Sequence, residues 1–197
     1  VYISSSMVYG NFDNDVVESA VCNPEGQYGI MKLAGEWLVK DYARRTGMEV
    51  VIVRPSAVYG PLDVEDRVVA KFMLTAMRGG ELSVNGPDEA LDFTYVTDLA
   101  AGIVQSALSD SAPGNTYNLT RSQSVTLLEA AETIVEIVGS GTIRVNDRDL
   151  NFPSRGSLNI DAARRDLNFN PTVNVAEGFE RYYESLSNSV YWSTKTV

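Results

Sequence analysis

Residues 49–54 read Glu-Val-Val-Ile-Val-Arg, a nearly continuous apolar run. Such a run is typical of a strand covered by helices on both faces, because a strand with one solvent-facing side alternates apolar and polar residues. Residues 28–46 before it have helical character, and Gly47 is suited to end that helix. A helix that leads into a doubly covered strand predicts an α/β fold with a parallel sheet.

The same alternation of strands and helices continues along the rest of the chain. Strands are expected over residues 1–4, 82–84, 93–96, 116–119 and 142–145, and helices over residues 68–78, 98–108, 127–138, 161–167 and 175–186. Thr126, with Glu129 three residues later, forms the capping-box pattern in front of one of these helices. The alternation indicates that most of the sheet is parallel.

The chain is acidic, with 16 Lys and Arg against 26 Asp and Glu and a formal net charge of −10. Without a basic block, this balance excludes a typical nucleic-acid-binding protein or one that binds an anionic membrane surface. The absence of His and the single Cys22 exclude an ordinary zinc site and Ser-His-Asp or Cys-His catalysis, so we expect no metal centre. One cysteine allows no internal disulfide, which fits a cytoplasmic protein. No apolar run approaches the ~20 residues of a membrane span.

Tyr28 and Lys32 stand one helical turn apart in the pentapeptide Tyr-Gly-Ile-Met-Lys and therefore share one face of the first long helix. A phenol with a pKa of about 10 is a poor base at neutral pH, but a neighbouring ammonium favours its phenolate. The pair is thus a candidate for proton transfer. An alternative stays open, because residues 28, 32, 36, 40 and 44 read Tyr-Lys-Glu-Lys-Arg, the pattern of a solvated face with alternating ion pairs.

Three hydroxyls, on Ser4, Ser5 and Ser6, follow the first expected strand. Parallel α/β sheets bind their ligands at the carboxyl ends of strands, which makes this serine run a candidate site. Serines at strand ends also cap turns, and that structural role is the alternative.

Six blocks of sequence carry a resemblance to a known family. They are Ile3–Gly10, Pro24–Gly29, Lys32–Glu36, Val53–Pro55 with Val58–Pro61, Leu91–Asp98 and Tyr117–Leu119. In this order and spacing they closely resemble the extended short-chain dehydrogenase/reductase family, in particular its NAD-dependent sugar-nucleotide epimerases and dehydratases. The resemblance runs from Val1 to about Glu184. It implies a Rossmann domain with a smaller C-terminal substrate-binding lobe, and NAD as the cofactor, with NADP as the alternative.

This resemblance implies a division of the chain. Residues 1–61 with 92–120 are expected to form the remainder of the Rossmann domain, residues 62–91 with 121–186 the substrate-binding lobe, and residues 187–197 a mobile tail. The sequence opens directly on a strand and lacks the family's Gly-x-x-Gly-x-x-Gly turn, so we expect an incomplete Rossmann-type parallel sheet without its N-terminal cofactor-binding half. In this family the first long helix here commonly joins two subunits. A homodimer is therefore expected, with Trp37, Leu38 and Tyr42 in the core or the interface.

The resemblance also implies residue roles. The family's catalytic Ser or Thr, Tyr and Lys fall on Ser5, Tyr28 and Lys32. Tyr28 would take the proton of a sugar hydroxyl while the hydride passes to the nicotinamide. Lys32 would hold the nicotinamide ribose and lower the Tyr pKa, and Ser5 would hydrogen-bond the same sugar oxygen. Cofactor contacts are assigned to Tyr28, Lys32, Ser4 and Pro55, and substrate contacts to Ser6, Met7, Ala57, Leu91 and Arg155.

Departures from the family pattern bear on the reaction. Dehydratases carry an Asp-Glu pair where this chain has Ser6 and Met7, which favours epimerisation or simple oxidoreduction. Ala57 and Leu91 replace an Asn and an Arg that usually face the nucleotide-sugar. Arg155 matches a diphosphate-binding arginine, and a guanidinium suits that bidentate contact. The alternative for Arg155 is a solvated loop position.

Three functions remain open. The first is an NAD-dependent epimerase acting on a nucleotide-sugar by transient hydride transfer. The second is a dehydrogenase or reductase of another small alcohol or ketone, which Ala57 and Leu91 favour. The third is a truncated, non-catalytic binding subunit, which the missing glycine turn favours and the joint presence of Ser5, Tyr28 and Lys32 disfavours. We expect the first.

Overall fold

The computed structural model describes residues 1–189, in which strands and helices alternate as the sequence predicts. The elements are β1 (Tyr2–Ile3), a 3₁₀ turn (Ser6–Val8), α1 (Gly26–Thr46), β2 (Ile52–Pro55), β3 (Val58–Tyr59), α2 (Val68–Met77), β4 (Glu81–Asn85), β5 (Ala90–Asp92), β6 (Thr94–Tyr95), α3 (Val96–Leu108), β7 (Thr116–Leu119), β8 (Ser124–Thr126), α4 (Leu127–Val138), β9 (Thr142–Asn146), α5 (Asp161–Leu167) and α6 (Val175–Ser187). The strands around β2 and the β4–β9 pair are parallel, which confirms the α/β class.

The chain divides into two compact units. The first comprises Val1–Val58, Ala90–Ser124 and Leu150–Thr172, and the second comprises Tyr59–Glu89, Val125–Asp149 and the chain from Val173 onwards. Residues 150–172 therefore belong to the first unit, whereas the sequence-based boundary placed them in the C-terminal lobe. The reason is packing, because Ile160, Leu167 and Phe169 are buried in one cluster with Val53 of β2.

The sheet of the first unit has the strand order β1-β2-β7. β2 is its central strand, and Ile52 and Val53 are almost completely buried. The apolar run over 49–54 is thus a covered strand as predicted, although the hydrogen-bonded ladder begins only at Ile52. α1 ends at Gly47, whose φ of +75° lies in the left-handed region that favours glycine. The predicted end of that helix is confirmed.

The second unit is built on the parallel pair β4 and β9. On β4, Leu82 and Val84 are buried while the residues between and beside them are exposed, so one face of this sheet is covered. α2 packs against α4, and α4 contacts α6. α4 opens with the expected capping box: the Thr126 hydroxyl accepts from the Glu129 amide at 3.1 Å, and the Glu129 carboxylate accepts from the Thr126 amide at 2.9 Å.

Four short elements were not predicted. β3 has two residues, and the 3₁₀ turn, β5 and β8 have three residues each, which is too few to show a helical or strand period in the sequence. At the other end of the chain the predicted mobile tail starts at residue 187. Ser187 is the last residue of α6, and residues 190–197 lie outside the described part of the structure.

A buried ion pair joins α1 to β2. Glu36 is 1% exposed and Arg54 is 4% exposed, and two hydrogen bonds of 2.9 and 2.7 Å connect the guanidinium to both carboxylate oxygens. The Ser4 hydroxyl donates to the same carboxylate at 2.5 Å. Burial raises the pKa of Glu36, but the hydrogen bonds from Arg54 and Ser4 outweigh it and hold this pKa below its usual value. The solvated-face interpretation of the Tyr-Lys-Glu-Lys-Arg row is therefore wrong at Glu36.

Arg54 extends this pair into a network. Its Nη1 donates to the Tyr9 hydroxyl at 2.9 Å, and the Tyr9 hydroxyl donates to Oδ1 of Asn118 on β7 at 2.8 Å. Burial raises the pKa of Tyr9 to about 12 even though Arg54 opposes the shift, so the phenol is neutral and can accept and donate at once. We call Ser4, Tyr9, Glu36, Arg54 and Asn118 the Glu36–Arg54 network.

Replacing Arg54 by Ala tests how much the fold depends on this pair. The change leaves the Glu36 carboxylate buried without its cation, and we expect the free energy of unfolding to fall by ~3–5 kcal/mol. The matched control is Arg44→Ala, which breaks the exposed ion pair with Asp41 on the same helix and should cost less than about 1 kcal/mol. Chemical denaturation followed by circular dichroism measures both. Equal losses in the two variants would contradict the expectation.

Asp92 is a second buried carboxylate in the first unit. It is fully buried at the end of β5, and its Oδ2 accepts from the Leu158 amide at 3.1 Å. Burial raises the pKa of Asp92 to about 6, although hydrogen bonds from Leu158 and Thr120 partly oppose the shift. Because the usual value is 3.8, the folded chain holds this proton more tightly than the unfolded chain does.

The raised pKa gives a pH-dependent contribution to stability with a definite sign. The proton on Asp92 stabilises the folded chain, and this stabilisation is fully present below pH 3.8. It is lost as the pH rises through about 6. We therefore expect Asp92→Asn to gain about 2 kcal/mol relative to the parent protein between pH 4 and pH 7. Denaturation across that range measures the difference, with the exposed Asp110→Asn as control. A difference that does not change with pH would refute the assignment.

Candidate active site

Ser5 begins the 3₁₀ turn at the carboxyl end of β1. Its side-chain oxygen accepts a hydrogen bond from the Met7 amide at 3.2 Å, so the structural role as a turn cap is real. In that bond the oxygen accepts, and the hydroxyl hydrogen stays available for a second partner. The cap therefore holds Ser5 in place without using the hydrogen that a ligand oxygen needs.

Tyr28 and Lys32 lie in the first two turns of α1 and face the end of β1. The Lys32 ammonium donates to the carbonyl of Ile3 at 2.9 Å and lies 5.6 Å from the centroid of the Tyr28 ring. The Tyr28 side chain is 54% exposed, so its hydroxyl can be reached from solvent. Tyr2 adds a second tie, because its hydroxyl donates to the Lys32 carbonyl at 3.2 Å. These contacts bring the Tyr–Lys pair to the strand that leads into Ser5.

Gly29 allows α1 to approach the serine turn closely. A Cβ atom at this position would lie 2.5 Å from the carbonyl oxygen of Met7, which is backbone and cannot move aside. Only glycine fits this approach, and it stands directly after Tyr28 in the chain. The glycine of the Tyr-Gly-Ile-Met-Lys pentapeptide therefore helps to place Tyr28 and Ser5 in one neighbourhood.

Arg155 is brought to the same turn by a segment from the far end of the sequence. Its Nη1 lies 3.7 Å from the sulfur of Met7. The segment is held by pairing with the residues after the serine turn: the Phe12 amide donates to the Ser154 carbonyl at 3.0 Å, and the Val16 amide donates to the Ser157 carbonyl at 3.1 Å. Met7 and Arg155, both assigned to substrate from the sequence, are therefore neighbours.

The remaining predicted residues are placed as follows. Ser4 and Ser6 are buried, and the Ser4 hydroxyl is engaged by Glu36. Pro55 ends β2, which is parallel to β1, so it lies at the same edge of the sheet as the serine run. Ala57 lies two residues after Pro55 and has a positive φ of +35°. Leu91 on β5 is buried.

Glu36, Arg54 and Asn118 lie inside the family blocks, but no role for them could be assigned from the sequence. Together with Tyr9 they surround the residues that carry the candidate site. The signal that was present is an arginine at the end of an apolar strand, a position where an unpaired charge is costly. Its partner could not be identified, because Glu36 is 18 residues away along the chain.

Residues 1–189 contain no helix that is long and apolar enough to cross a membrane. The same range shows no group of three or more Cys, Asp or Glu side chains that could hold a metal ion.

Proteins of similar sequence occur in bacteria and plants. The chain is 28% identical over 190 residues to the uncharacterized UDP-glucose epimerase YtcB of Bacillus subtilis, a match of 95% of this chain and 60% of that protein. It is 32% identical over 176 residues to UDP-glucuronic acid decarboxylase 1 of Arabidopsis thaliana, covering 85% of this chain and 40% of that protein. The chain thus spans between about two fifths and three fifths of the length of these relatives.

The fold has a close counterpart among solved structures. The crystal structure of UDP-glucuronic acid 4-epimerase from Bacillus cereus, in complex with UDP-glucuronic acid and NAD, superposes with a TM-score of 0.88 at 27% identity, over 93% of this chain and 59% of that one. The parallel sheet is therefore of the Rossmann type. Residues 1–120 match the sequence model of the NAD dependent epimerase/dehydratase family. This range includes the serine turn and both residues of the Tyr–Lys pair. The resemblance inferred from the six blocks is confirmed, and the chain belongs to the NAD dependent epimerase/dehydratase family.

Proposed function

We propose that this protein is an NAD-dependent epimerase acting on a nucleotide-sugar by transient hydride transfer. The observation that carries the proposal is the contact of α1 with the end of β1, where Gly29 lies against Met7 and Lys32 donates to Ile3. It gathers a phenol, an ammonium and a serine hydroxyl at the carboxyl edge of a parallel sheet, where such folds bind ligands. The activities named for the relatives support the same reaction class.

The donor set fits the nicotinamide ribose of NAD. Lys32 has three N–H donors and gives one to Ile3, and Tyr28 is half exposed, so both side chains can reach a ligand. We assign the cofactor to Tyr28 and Lys32 together with Pro55 and the main chain of Ser4. When bound, NAD supplies a reversible hydride acceptor, so that an alcohol carbon can become a ketone and be reduced again on its other face.

The chain's own residues move the proton. Tyr28 accepts the proton of the sugar hydroxyl, and the Lys32 ammonium lies 5.6 Å from the centroid of its ring. Ser5 donates its hydroxyl hydrogen to the same sugar oxygen while its own oxygen stays fixed by the Met7 amide. A phenol and a hydroxyl that share one substrate oxygen can pass the proton in both directions, which an epimerase requires.

The substrate side combines one cation with one hydroxyl and three apolar side chains. Arg155, beside Met7, is assigned to the diphosphate of the nucleotide, and Ser6, Met7, Ala57 and Leu91 to the sugar and its surroundings. Ala57 has a φ of +35°, on the left-handed side that Asn also tolerates, so the backbone suits the Asn that the family resemblance implies at this position. The smaller Ala57 leaves more room and one fewer hydrogen-bonding group beside the ligand.

A dehydrogenase or reductase of another small alcohol or ketone is the second candidate, and Ala57 and Leu91 are its support. The two activities differ in their net electron balance, since an epimerase returns the hydride that a dehydrogenase keeps. Incubation with NAD and UDP-sugars, or with simple alcohols, distinguishes them. A new sugar epimer without net NADH supports the epimerase. NADH in proportion to product supports the dehydrogenase, and no conversion of either class supports the binding subunit.

Substituting Tyr28 by Phe tests the catalytic assignment. Loss of the phenol hydroxyl removes the proton acceptor, and we expect turnover to fall by about 10²–10⁴-fold with little change in stability. Tyr42→Phe is the matched control, because Tyr42 lies on the same helix and is also 54% exposed. Initial rates and thermal melts of both variants provide the comparison. A Tyr28→Phe variant that turns over as fast as the control would exclude Tyr28 as the base.

We also propose that the protein is cytoplasmic and forms a homodimer through α1. Its single Cys22 fits a reducing compartment. Ile30 and Met31 are more than half exposed, and so are Trp37, Leu38 and Tyr42, which leaves the interface as the expected place of these last three residues and not the core. They lie within two adjacent rows of α1, and contiguous exposed apolar surface marks interaction sites. A second copy of the same helix is the occupant that we propose.

Leu38→Arg tests the dimer. A guanidinium in the middle of an apolar helix pair opposes association, and we expect a shift from dimer to monomer in sedimentation velocity. Leu108→Arg on α3 is the control, since Leu108 is 78% exposed and Leu38 is 71% exposed. A monomeric parent protein, or a Leu38→Arg variant that remains dimeric, would rule out this interface.

A further inference from the structure

The Glu36–Arg54 network forms hydrogen bonds with the residues on either side of the turn that carries Ser5. Ser4, the residue before Ser5, donates to Glu36, and Tyr9, the residue after Val8, accepts from Arg54. The turn from Ser5 to Val8 is therefore anchored at both ends to one buried ion pair. The ring of Tyr9 also lies 4.9 Å from the Arg54 guanidinium carbon, a cation–π distance that strengthens the second anchor.

The same network holds the helix that carries Tyr28 and Lys32. Glu36 lies one helical turn after Lys32 on α1, and each of these residues bonds to the end of β1: Lys32 to the Ile3 carbonyl at 2.9 Å and Glu36 to the Ser4 hydroxyl at 2.5 Å. Two such bonds between adjacent strand residues and adjacent helical turns fix both the rotation and the sliding of α1 against β1.

The energetics of buried charges explain why an ion pair, and not a set of apolar side chains, lies between α1 and β2. A buried ion pair contributes little net stability compared with well-packed apolar residues, whereas its directional bonds admit only one arrangement of the groups that it joins. Here those groups are β1, β2, α1 and the serine turn, all in the first unit. What the pair specifies is therefore the relative position of three candidate catalytic side chains.

We propose that Ser4, Tyr9, Glu36 and Arg54 are positioning residues that set the Ser5 hydroxyl against Tyr28 and Lys32. This inference rests on the proposed function, because it assigns the network to the reaction of that site. None of the four side chains needs to touch substrate, and Ser4 acts through its hydrogen bond to Glu36. Displacements of about 1 Å in catalytic groups can lower rates by about 10²-fold.

Ser4→Ala removes one anchor and leaves the ion pair intact. We expect kcat to fall by about 10–100-fold with unchanged KM for substrate and for NAD, and Ser4→Thr, which keeps the hydroxyl, to restore much of the loss. Ser106→Ala is the matched control. Ser106 is also 1% exposed, but its hydroxyl bonds to the Ile103 carbonyl within its own helix at 2.8 Å.

Amide hydrogen exchange gives a readout that does not depend on turnover. The Met7 amide bonds to Ser5, and we expect it to exchange faster in Ser4→Ala and at the parent rate in Ser106→Ala. Faster exchange with a lower kcat supports the proposal. The proposal is overturned if Ser4→Ala changes kcat and Met7 exchange no more than Ser106→Ala does. It is also overturned if Ser4→Ala raises the KM for NAD and leaves kcat unchanged. If the parent protein converts no nucleotide-sugar, the proposed function fails, and an unchanged Met7 exchange rate in Ser4→Ala then separately refutes the positioning role.

Discussion

The structure of the first unit depends on the ion pair between Glu36 and Arg54. Each charge would be costly to bury alone, so α1 and β2 reach their places together or leave one charge unpaired. The two hydrogen bonds of 2.9 and 2.7 Å match the planar fork of a guanidinium to both oxygens of a carboxylate. Ser4 and Tyr9 use the donor and acceptor positions that remain, which ties the loop between them to the same pair.

This constraint explains why the candidate site is assembled from distant parts of the sequence without a metal or a disulfide in the described residues. Asn118 continues the network to β7 and donates to the carbonyls of Val16 and Asn159, both at 3.0 Å. Those two carbonyls belong to the paired segments that carry Arg155 to Met7. The positions of the phenol, the serine turn and the guanidinium thus have a common origin in one set of buried hydrogen bonds.

The sequence predicted those features that have a local cause. The covered strand β2, the end of α1 at Gly47 and the capping box of α4 each follow from adjacent residues, and the Tyr28–Lys32 pair follows from helical spacing. The burial of Glu36 could not be predicted in this way, because its helical row reads as charged and its partner lies on another element. Residues 150–172 were misplaced for a related reason: their apolar side chains pack under strands more than 30 residues away.

The contact between Met7 and Arg155 shows what such long-range pairing adds to the chemistry. In dehydratases of the resembling family an acid stands at the position of Met7, and a carboxylate there would neutralise the neighbouring guanidinium. A thioether accepts hydrogen bonds only weakly and brings no charge, so it does not compete with an anionic ligand for Arg155. In the proposed function, the residue that removes an acid for elimination therefore also leaves Arg155 to the diphosphate of the nucleotide. Only the missing acid separates the two reactions, because a dehydratase of this family acts on a nucleotide-sugar as well and holds the same diphosphate.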